Sequence, residues 1–265
     1  MSIVLRGRPS YKRAIIVQVV AYGSFLFGWW LVTAGLGYFK PGILPSPIKV
    51  VAAFVALPMT SEFWMSMRFS VIITLLSSLE ALCITIPLGL LIGLHPDARV
   101  IFEKPLAALR YLPLTALLGL FLTWFGYKMN MKVQFLTLSI LVYFLPAFVG
   151  RIDAVTNGHL NTIKTLGANN WQTIKKVYWP ATIGSFFTDL RVLSPIGWTY
   201  LIIAETINLN DGGVGQMIFS AFRRSGVDIA FALLIWIVLV AFTQDKSLLF
   251  VDRKLFPYKY VGGNR

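Results

Sequence analysis

The chain has 265 residues, is 57% hydrophobic and only 13% charged, and its mean hydropathy of +0.71 excludes an ordinary soluble domain, leaving room for one membrane domain. Its one cysteine, Cys83, excludes an internal disulfide framework, and His95 and His159 lack metal-ligand spacing, so no metal site is expected. The net charge of +13 does not point to nucleic acid: the basic residues sit at the ends of apolar runs, where anionic lipid headgroups account for them.

About 20 apolar residues cross the hydrocarbon as a helix. Such stretches lie near 14–36, 71–94, 105–125, 133–149, 190–207 and 229–250. The expected fold is therefore an all-α integral membrane protein of about six transmembrane helices, with residues 1–265 as a single transmembrane domain. The first stretch follows Arg6, Arg8, Lys12 and Arg13. Its apolar core is too long for a signal peptide and no small-x-small cleavage site follows, so it reads as a retained anchor. Between the first and second stretches, a segment rich in Pro41, Pro45, Pro47 and Pro58 holds an apolar run, Val50–Leu57. That run is too short to cross and is expected to lie along the outer surface.

Three ionisable residues fall at membrane depth: Glu80 in the second stretch, Arg110 early in the third and Glu205 late in the fifth. Charges there are costly and face a partner or a water-filled path, so Arg110 is expected to pair with Glu80 or Glu205, or all three to line a translocation path. Trp198, Thr199 and Tyr200 form a polar-aromatic cluster beside Glu205. They line a translocation path or, alternatively for the two aromatics, pack against lipid. Pro87, Pro113, Pro146 and Pro195 fall within or beside stretches and read mainly as ordinary bends.

The segment 151–189 between the fourth and fifth stretches is structured and basic. Leu160, Ile163 and Leu166 recur at helical spacing, Gly167 interrupts, and Trp171, Ile174, Val177 and Tyr178 resume the period until Pro180 is expected to stop it. A helix pair with an aromatic-aliphatic stripe either packs on its own bundle or seats in a groove of a cytoplasmic partner. After the fifth stretch, Asp211-Gly212-Gly213-Val214-Gly215 precedes a short apolar helix at Gln216–Phe222. This reads as a capping or re-entrant piece over the outer mouth, or a plain turn. With the N-terminus inside, sixteen of the 24 basic residues fall on inner segments, Arg151, Lys164, Lys175, Lys176, Arg253 and Lys254 among them. That bias puts both termini in the cytoplasm.

Thr165-Leu166-Gly167-Ala168-Asn169-Asn170-Trp171-Gln172, followed by Val177-Tyr178-Trp179-Pro180-Ala181, resembles the EAA loop of binding-protein-dependent ABC transporter permeases. Ile43-Leu44-Pro45-Ser46-Pro47, Leu112-Pro113-Leu114 with Trp124-Phe125-Gly126, and Ala204-Glu205 with Gly212-Gly213-Val214-Gly215 and Ala221 resemble the nitrate/sulfonate/taurine branch, so the likeness extends over nearly the whole chain. The chain departs from the pattern in three places. Asn161-Thr162-Ile163 stands for Glu-Ala-Ala, Gly184 replaces a proline, and Trp179 precedes Pro180 where an aliphatic residue is usual.

The resemblance implies a type I importer permease in a bacterial cytoplasmic membrane. It implies a second permease copy, two cytoplasmic ATPases gripping Asn161, Thr162, Ile163, Lys164, Thr165, Leu166, Gly167, Ala168, Asn169 and Trp171, and an extracytoplasmic substrate-binding protein. Glu205 matches a glutamate of that family, and Gly212, Gly213, Gly215 and Gln216 fall in its outer gate loop. The sequence contains no G-x-x-x-x-G-K-[ST] phosphate loop. ATP and its magnesium are accordingly expected on a partner, with no cofactor in this chain and no enzymatic activity of its own. The alternatives are a self-contained channel or secondary carrier, which would show paired repeats, and a membrane anchor subunit of another complex.

Overall fold

The computed structural model describes residues 9–39, 42–208 and 211–260; Arg6, Arg8, Lys40, Pro41 and Arg265 lie outside them. The described residues are helical throughout, with no strand. In chain order the helices are α1 (Tyr11–Trp30), α2 (Pro47–Ala56), α3 (Ser61–Leu94), α4 (Pro96–Leu109), α5 (Leu118–Phe125), α6 (Met129–Asp153), α7 (Asn157–Thr165), α8 (Asn170–Thr173), α9 (Trp179–Leu193), α10 (Pro195–Thr206), α11 (Val214–Arg223) and α12 (Val227–Leu255).

The chain divides into two compact units, 1–60 with 218–235 and 61–217 with 236–265. In the first unit, the Trp29 indole N–H donates to the Pro45 carbonyl at 3.0 Å and its ring leans on Phe231. The short helix expected from Val50–Leu57 is α2, whose ten residues are too few to cross. No residue of α1 is buried, and its side chains Ile16, Val20, Phe25 and Phe27 are open to lipid or another subunit.

The second unit is organised by α3 against α6. One stripe of α3 carries Ser66, Ser70, Thr74, Ser77, Ala81, Thr85 and Gly89, and every one of these is buried. Of its large residues, Ile72, Leu75, Leu76, Leu79 and Leu91 are exposed, while Phe63, Met67, Ile73 and Ile92 are buried. Lipid is as apolar as leucine, so a stripe of small residues that lets backbones approach carries much of the inward face. The approach is closest at Gly89 and Gly93: a Cβ added there would come within 2.5 Å of Phe148 and Ile152 of α6, respectively. Phe148 in turn stacks edge-on to Phe186 of α9, in a core with Ala81, Ile140, Phe144 and Leu190.

Among the described residues four helices, Tyr11–Gly35 with its terminal π-turn, α3, α6 and α12, are long and apolar enough to cross a membrane alone. The stretch 105–125 is not the single straight span expected. It is α4 and a second helical piece, Leu114–Phe125, meeting at 95°, and counted together they would be a fifth span. The cause is Leu112-Pro113. A residue before proline is pushed out of helical conformation, and Pro113 itself is extended (ψ 93°). The stretch 190–207 starts earlier than expected, as α9, and passes into α10 at Ser194, where Pro195 removes one backbone donor.

Replacing Gly89 with valine should overpack the α3–α6 contact and lower stability by roughly 1–3 kcal/mol. Thermal melting of the purified protein in detergent checks this; Leu79→Val, on the exposed face, should leave the midpoint nearly unchanged.

Candidate functional site

Glu205 ends α10 and is fully buried. Its carboxylate has specific partners. The Ser70 hydroxyl of α3 donates to Oε1 at 2.6 Å, and the Gly215 amide donates to Oε2 at 2.7 Å. Ser70 Oγ in turn accepts from the Val214 amide at 2.9 Å. Val214 and Gly215 open α11, so a helix N-terminus, with its unpaired amides and partial positive charge, is aimed at a buried acid. The glycines make this possible. Gly212 and Gly213 have φ of +77° and +111°, conformations that a side chain resists. A Cβ on Gly213 would stand on the Glu205 carboxylate, and one on Gly215 would lie 2.5 Å from the Ile202 carbonyl.

The same loop is held from its other side. Lys132 of α6 is fully buried, with its ammonium 3.1 Å from Asp211 and above the Phe69 ring. A cleft of about 340 Å³ opens beside the loop, lined by Glu62, Ser66, Phe69, Asp211, Gly213 and Gln216. Ser70 and Lys132 are not distinguishable by sequence patterning. Ser70 is one small residue in a stripe, and Lys132 reads as an ordinary flanking charge outside the fourth stretch.

The other residues at membrane depth lie elsewhere. Glu80 accepts from Gln134 Nε2 at 2.8 and 3.1 Å and from Thr137 Oγ1 at 3.0 Å, a pairing made wholly between α3 and α6. It sits ten residues beyond Ser70 on α3, about 15 Å along the axis at 1.5 Å per residue. Arg110 caps α4 at the 95° bend, exposed, in a cleft with Glu103 and the bidentate Arg99–Asp153 pair, both of whose hydrogen bonds are 2.7 Å. The expected pairing of Arg110 with Glu80 or Glu205 is not made among the described residues: neutral and backbone donors satisfy both acids. Trp198 is buried and donates to Gln244 of α12 at 2.8 Å, Tyr200 meets Phe135 edge-on, and Thr199 is exposed.

The segment 157–178 is a stapled hairpin. α7 ends in a Schellman closure: the Gly167 amide donates to Lys164 O at 2.9 Å and the Ala168 amide to Ile163 O at 3.2 Å. Gly167 supplies the left-handed residue, φ +76°, that this closure requires. α8 starts at once with a capping box. Asn169 Oδ1 accepts from the Gln172 amide at 2.8 Å and Gln172 Oε1 from the Asn169 amide at 2.9 Å. Beyond it Pro180 does not stop the helix as expected. A π-turn, Ile174–Tyr178, shifts the hydrogen-bond register immediately before the proline, which falls in the first turn of α9, where a missing donor costs nothing. On the hairpin surface Leu166 is 80% and Trp171 69% exposed, while Asn161, Thr162, Lys164, Thr165 and Asn169 are also exposed. Ile163 and Leu166 line a cleft of about 350 Å³ that reaches Val177 and Pro180.

A bent, apolar helical bundle that keeps a rigid polar hairpin with protruding Leu166 and Trp171, and closes a glycine loop with a buried acid, is the architecture of a transport subunit. Residues 48–256 match the family of binding-protein-dependent transport system inner membrane components, and the chain belongs to that family. It is a multi-pass membrane protein and the permease component of an ABC importer, a transport subunit. It is similar to the taurine transport system permease protein TauC of Escherichia coli K12, with 26% identity over 96% of this chain and 94% of the relative. It is also similar to the formylaminopyrimidine transport permease protein ThiX of Halalkalibacterium halodurans, with 27% identity over 83% of this chain and 87% of the relative.

Ser70→Ala should leave the Val214 amide unpaired and Glu205 one donor short, at a cost of about 1–3 kcal/mol. Hydrogen exchange read at Val214 and Gly215 should accelerate by about tenfold or more, since 1.4 kcal/mol is a factor of 10. Ser78→Ala, on the same helix but away from the loop, should leave those two amides unchanged.

Proposed function

We propose that this permease works as one of two copies in an importer driven by two cytoplasmic ATPases that dock on the hairpin 157–173, with both chain termini on the cytoplasmic side. The observation that carries the docking role is the hairpin itself: two large apolar side chains stand exposed on a segment whose turn is closed by a Schellman motif and a capping box. An unpartnered surface gains nothing from such stiffness. A lever does, because a flexible elbow would absorb the movement that it is meant to transmit. Leu166 and Trp171 have the character of interface anchors, which fill a partner's groove. ATP and magnesium belong to the partner, and this chain contributes no cofactor.

On the outer side, the loop Asp211–Gln216 acts as a gate, and Glu205 is the latch that holds it through the α11 N-terminus. The path runs beside α10, so that Glu205, Trp198, Thr199 and Tyr200 border it. Glu80 and Arg110 lie off it, the former as a helix-packing group and the latter in the inner cleft. An extracytoplasmic binding protein delivers the solute. The names of the relatives favour a small sulfonate or a pyrimidine-like compound, and ligand-shifted melting of the cognate binding protein separates the two.

Leu166→Asp and Trp171→Asp should each reduce the ATPase recovered with the purified permease by about tenfold or more, as loss of an interface anchor does. Transport should fall with it. The melting of the permease alone should hardly move, because both side chains are exposed. Undiminished ATPase recovery in both variants would remove the hairpin from the docking role.

A further inference from the structure

The end of the chain folds back onto the base of α9. Past α12, Phe256–Tyr260 form a single 3-10 turn closed by the Lys259 amide on Phe256 O and the Tyr260 amide on Pro257 O. This turn is fastened at Asp252, a fully buried carboxylate on the last turn of α12. Lys259 Nζ donates to Asp252 Oδ1 and the Tyr260 hydroxyl to Oδ2, each at 2.6 Å. The fastened turn presents two rings to α9. Phe256 packs on Phe187 with centroids 5.7 Å apart, and Tyr258, edge-on to Phe256, puts its hydroxyl into the space where a Cβ on buried Gly184 would stand. Gly184 lies in the first half of α9, six residues after the π-turn that carries the hairpin.

These contacts join the helix that leaves the hairpin to the inner end of α12 through a short, rigid piece of chain. Buried carboxylates with charge-assisted hydrogen bonds hold a fixed geometry. Tyr258 is 62% exposed, but its hydroxyl fills the space over Gly184, so any side chain there must displace it. α9 and α12 are also bridged one level further in, by Arg191 and Asp245 with two 3.1 Å hydrogen bonds. α9 is therefore tied to α12 and its tail at two levels, near its start and near its end.

We propose that Phe256–Tyr260 is a strap that makes α12 move with the hairpin, with Tyr258 a positioning residue that acts through Gly184 of α9. The strap rests on the reading of the hairpin as the ATPase lever. Its role is to convert hairpin movement into rearrangement of the bundle, so that its loss uncouples hydrolysis from transport without releasing the ATPase.

The contact can be broken and rebuilt by size alone. Gly184→Ala drives a methyl group into the Tyr258 hydroxyl. Tyr258→Phe deletes that hydroxyl and leaves ring carbon Cζ at 3.5 Å from the new methyl, ordinary contact. In the reconstituted transporter, Gly184→Ala should lower solute moved per ATP hydrolysed by ~3-fold or more, with ATPase recovery and basal hydrolysis as in wild type. Adding Tyr258→Phe should restore the ratio. On the permease alone, hydrogen exchange across residues 182–187 should quicken in Gly184→Ala and return in the double variant. An unchanged ratio in Gly184→Ala, a defect that the phenylalanine does not repair, or loss of the bound ATPase in Gly184→Ala would each overturn the strap. Wild-type permease that recovers no ATPase would instead sink the lever reading, and the exchange measurement would still decide whether tail and α9 are joined.

Discussion

The second unit rests on one constraint: its helices sit in a solvent as apolar as their own side chains. Hydrophobicity cannot sort the faces of α3, so shape and polar satisfaction do. A stripe of small residues runs down its inward face beside the buried Phe63, Met67, Ile73 and Ile92, to the close approach of Gly89 and Gly93 to Phe148 and Ile152. The stripe changes in chemistry along its length. Its first half carries hydroxyls, Ser66, Ser70, Thr74 and Ser77, and its second half Ala81, Thr85 and Gly89. Hydroxyl residues can pack closely and also donate, and Ser70 does both, which is why the Glu205 carboxylate is held on the same face that packs the core.

Glu205 shows how a buried acid is accommodated without a cation touching it. Its two oxygens each take a donor, one of them a backbone amide of the α11 N-terminus, and Lys132 spends its charge on Asp211 instead. A pairing with Arg110 would have been stronger in isolation, but the gain from a buried ion pair is largely offset by desolvating both partners. Amides that α11 must satisfy in any case have no such cost. The arrangement ties the acid to the loop, so the loop cannot lift without leaving a buried carboxylate and two amides unpaired. Lifting the loop would therefore break two buried hydrogen bonds together, Val214 to Ser70 and Gly215 to Glu205.

The sequence carried the membrane class, the short outer helix, the hairpin bend at Gly167 and the place of Glu205 next to a glycine loop, because each rests on a local signal: apolar run length, helical period, a glycine in a polar segment, a charge at depth. What it did not carry depends on register or on distant partners. The 95° break of the third stretch lay in Leu112-Pro113, yet hydropathy runs straight through it. Pro180 signalled a stop that a π-turn cancelled, and a π-turn has no sequence pattern of its own. Glu80 was legible as a costly charge, but Gln134 and Thr137 as its partners were not, since pairing between α3 and α6 depends on the register of two helices. Gly184 was legible only as a departure from the family pattern. Its reason, the Tyr258 hydroxyl, lies 74 residues away in the chain.

From Asn170 to Thr206 the chain is helical almost without a break, carrying the hairpin at one end and Glu205 at the other. Only two places interrupt the α-helical ladder: the π-turn at Ile174–Tyr178 and the Ser194–Pro195 junction. A helix transmits axial displacement well except where its hydrogen bonds are missing or shifted, and such places bend first. Both interruptions fall beside clamps. The π-turn is followed by the Gly184 contact with the tail, and the Ser194 junction is preceded by the Arg191–Asp245 bridge to α12. Each point where the ladder is weakest is braced by one neighbouring contact. Along the helical run that joins the hairpin to Glu205, each break in the α-helical ladder thus lies next to a contact with α12 or its tail.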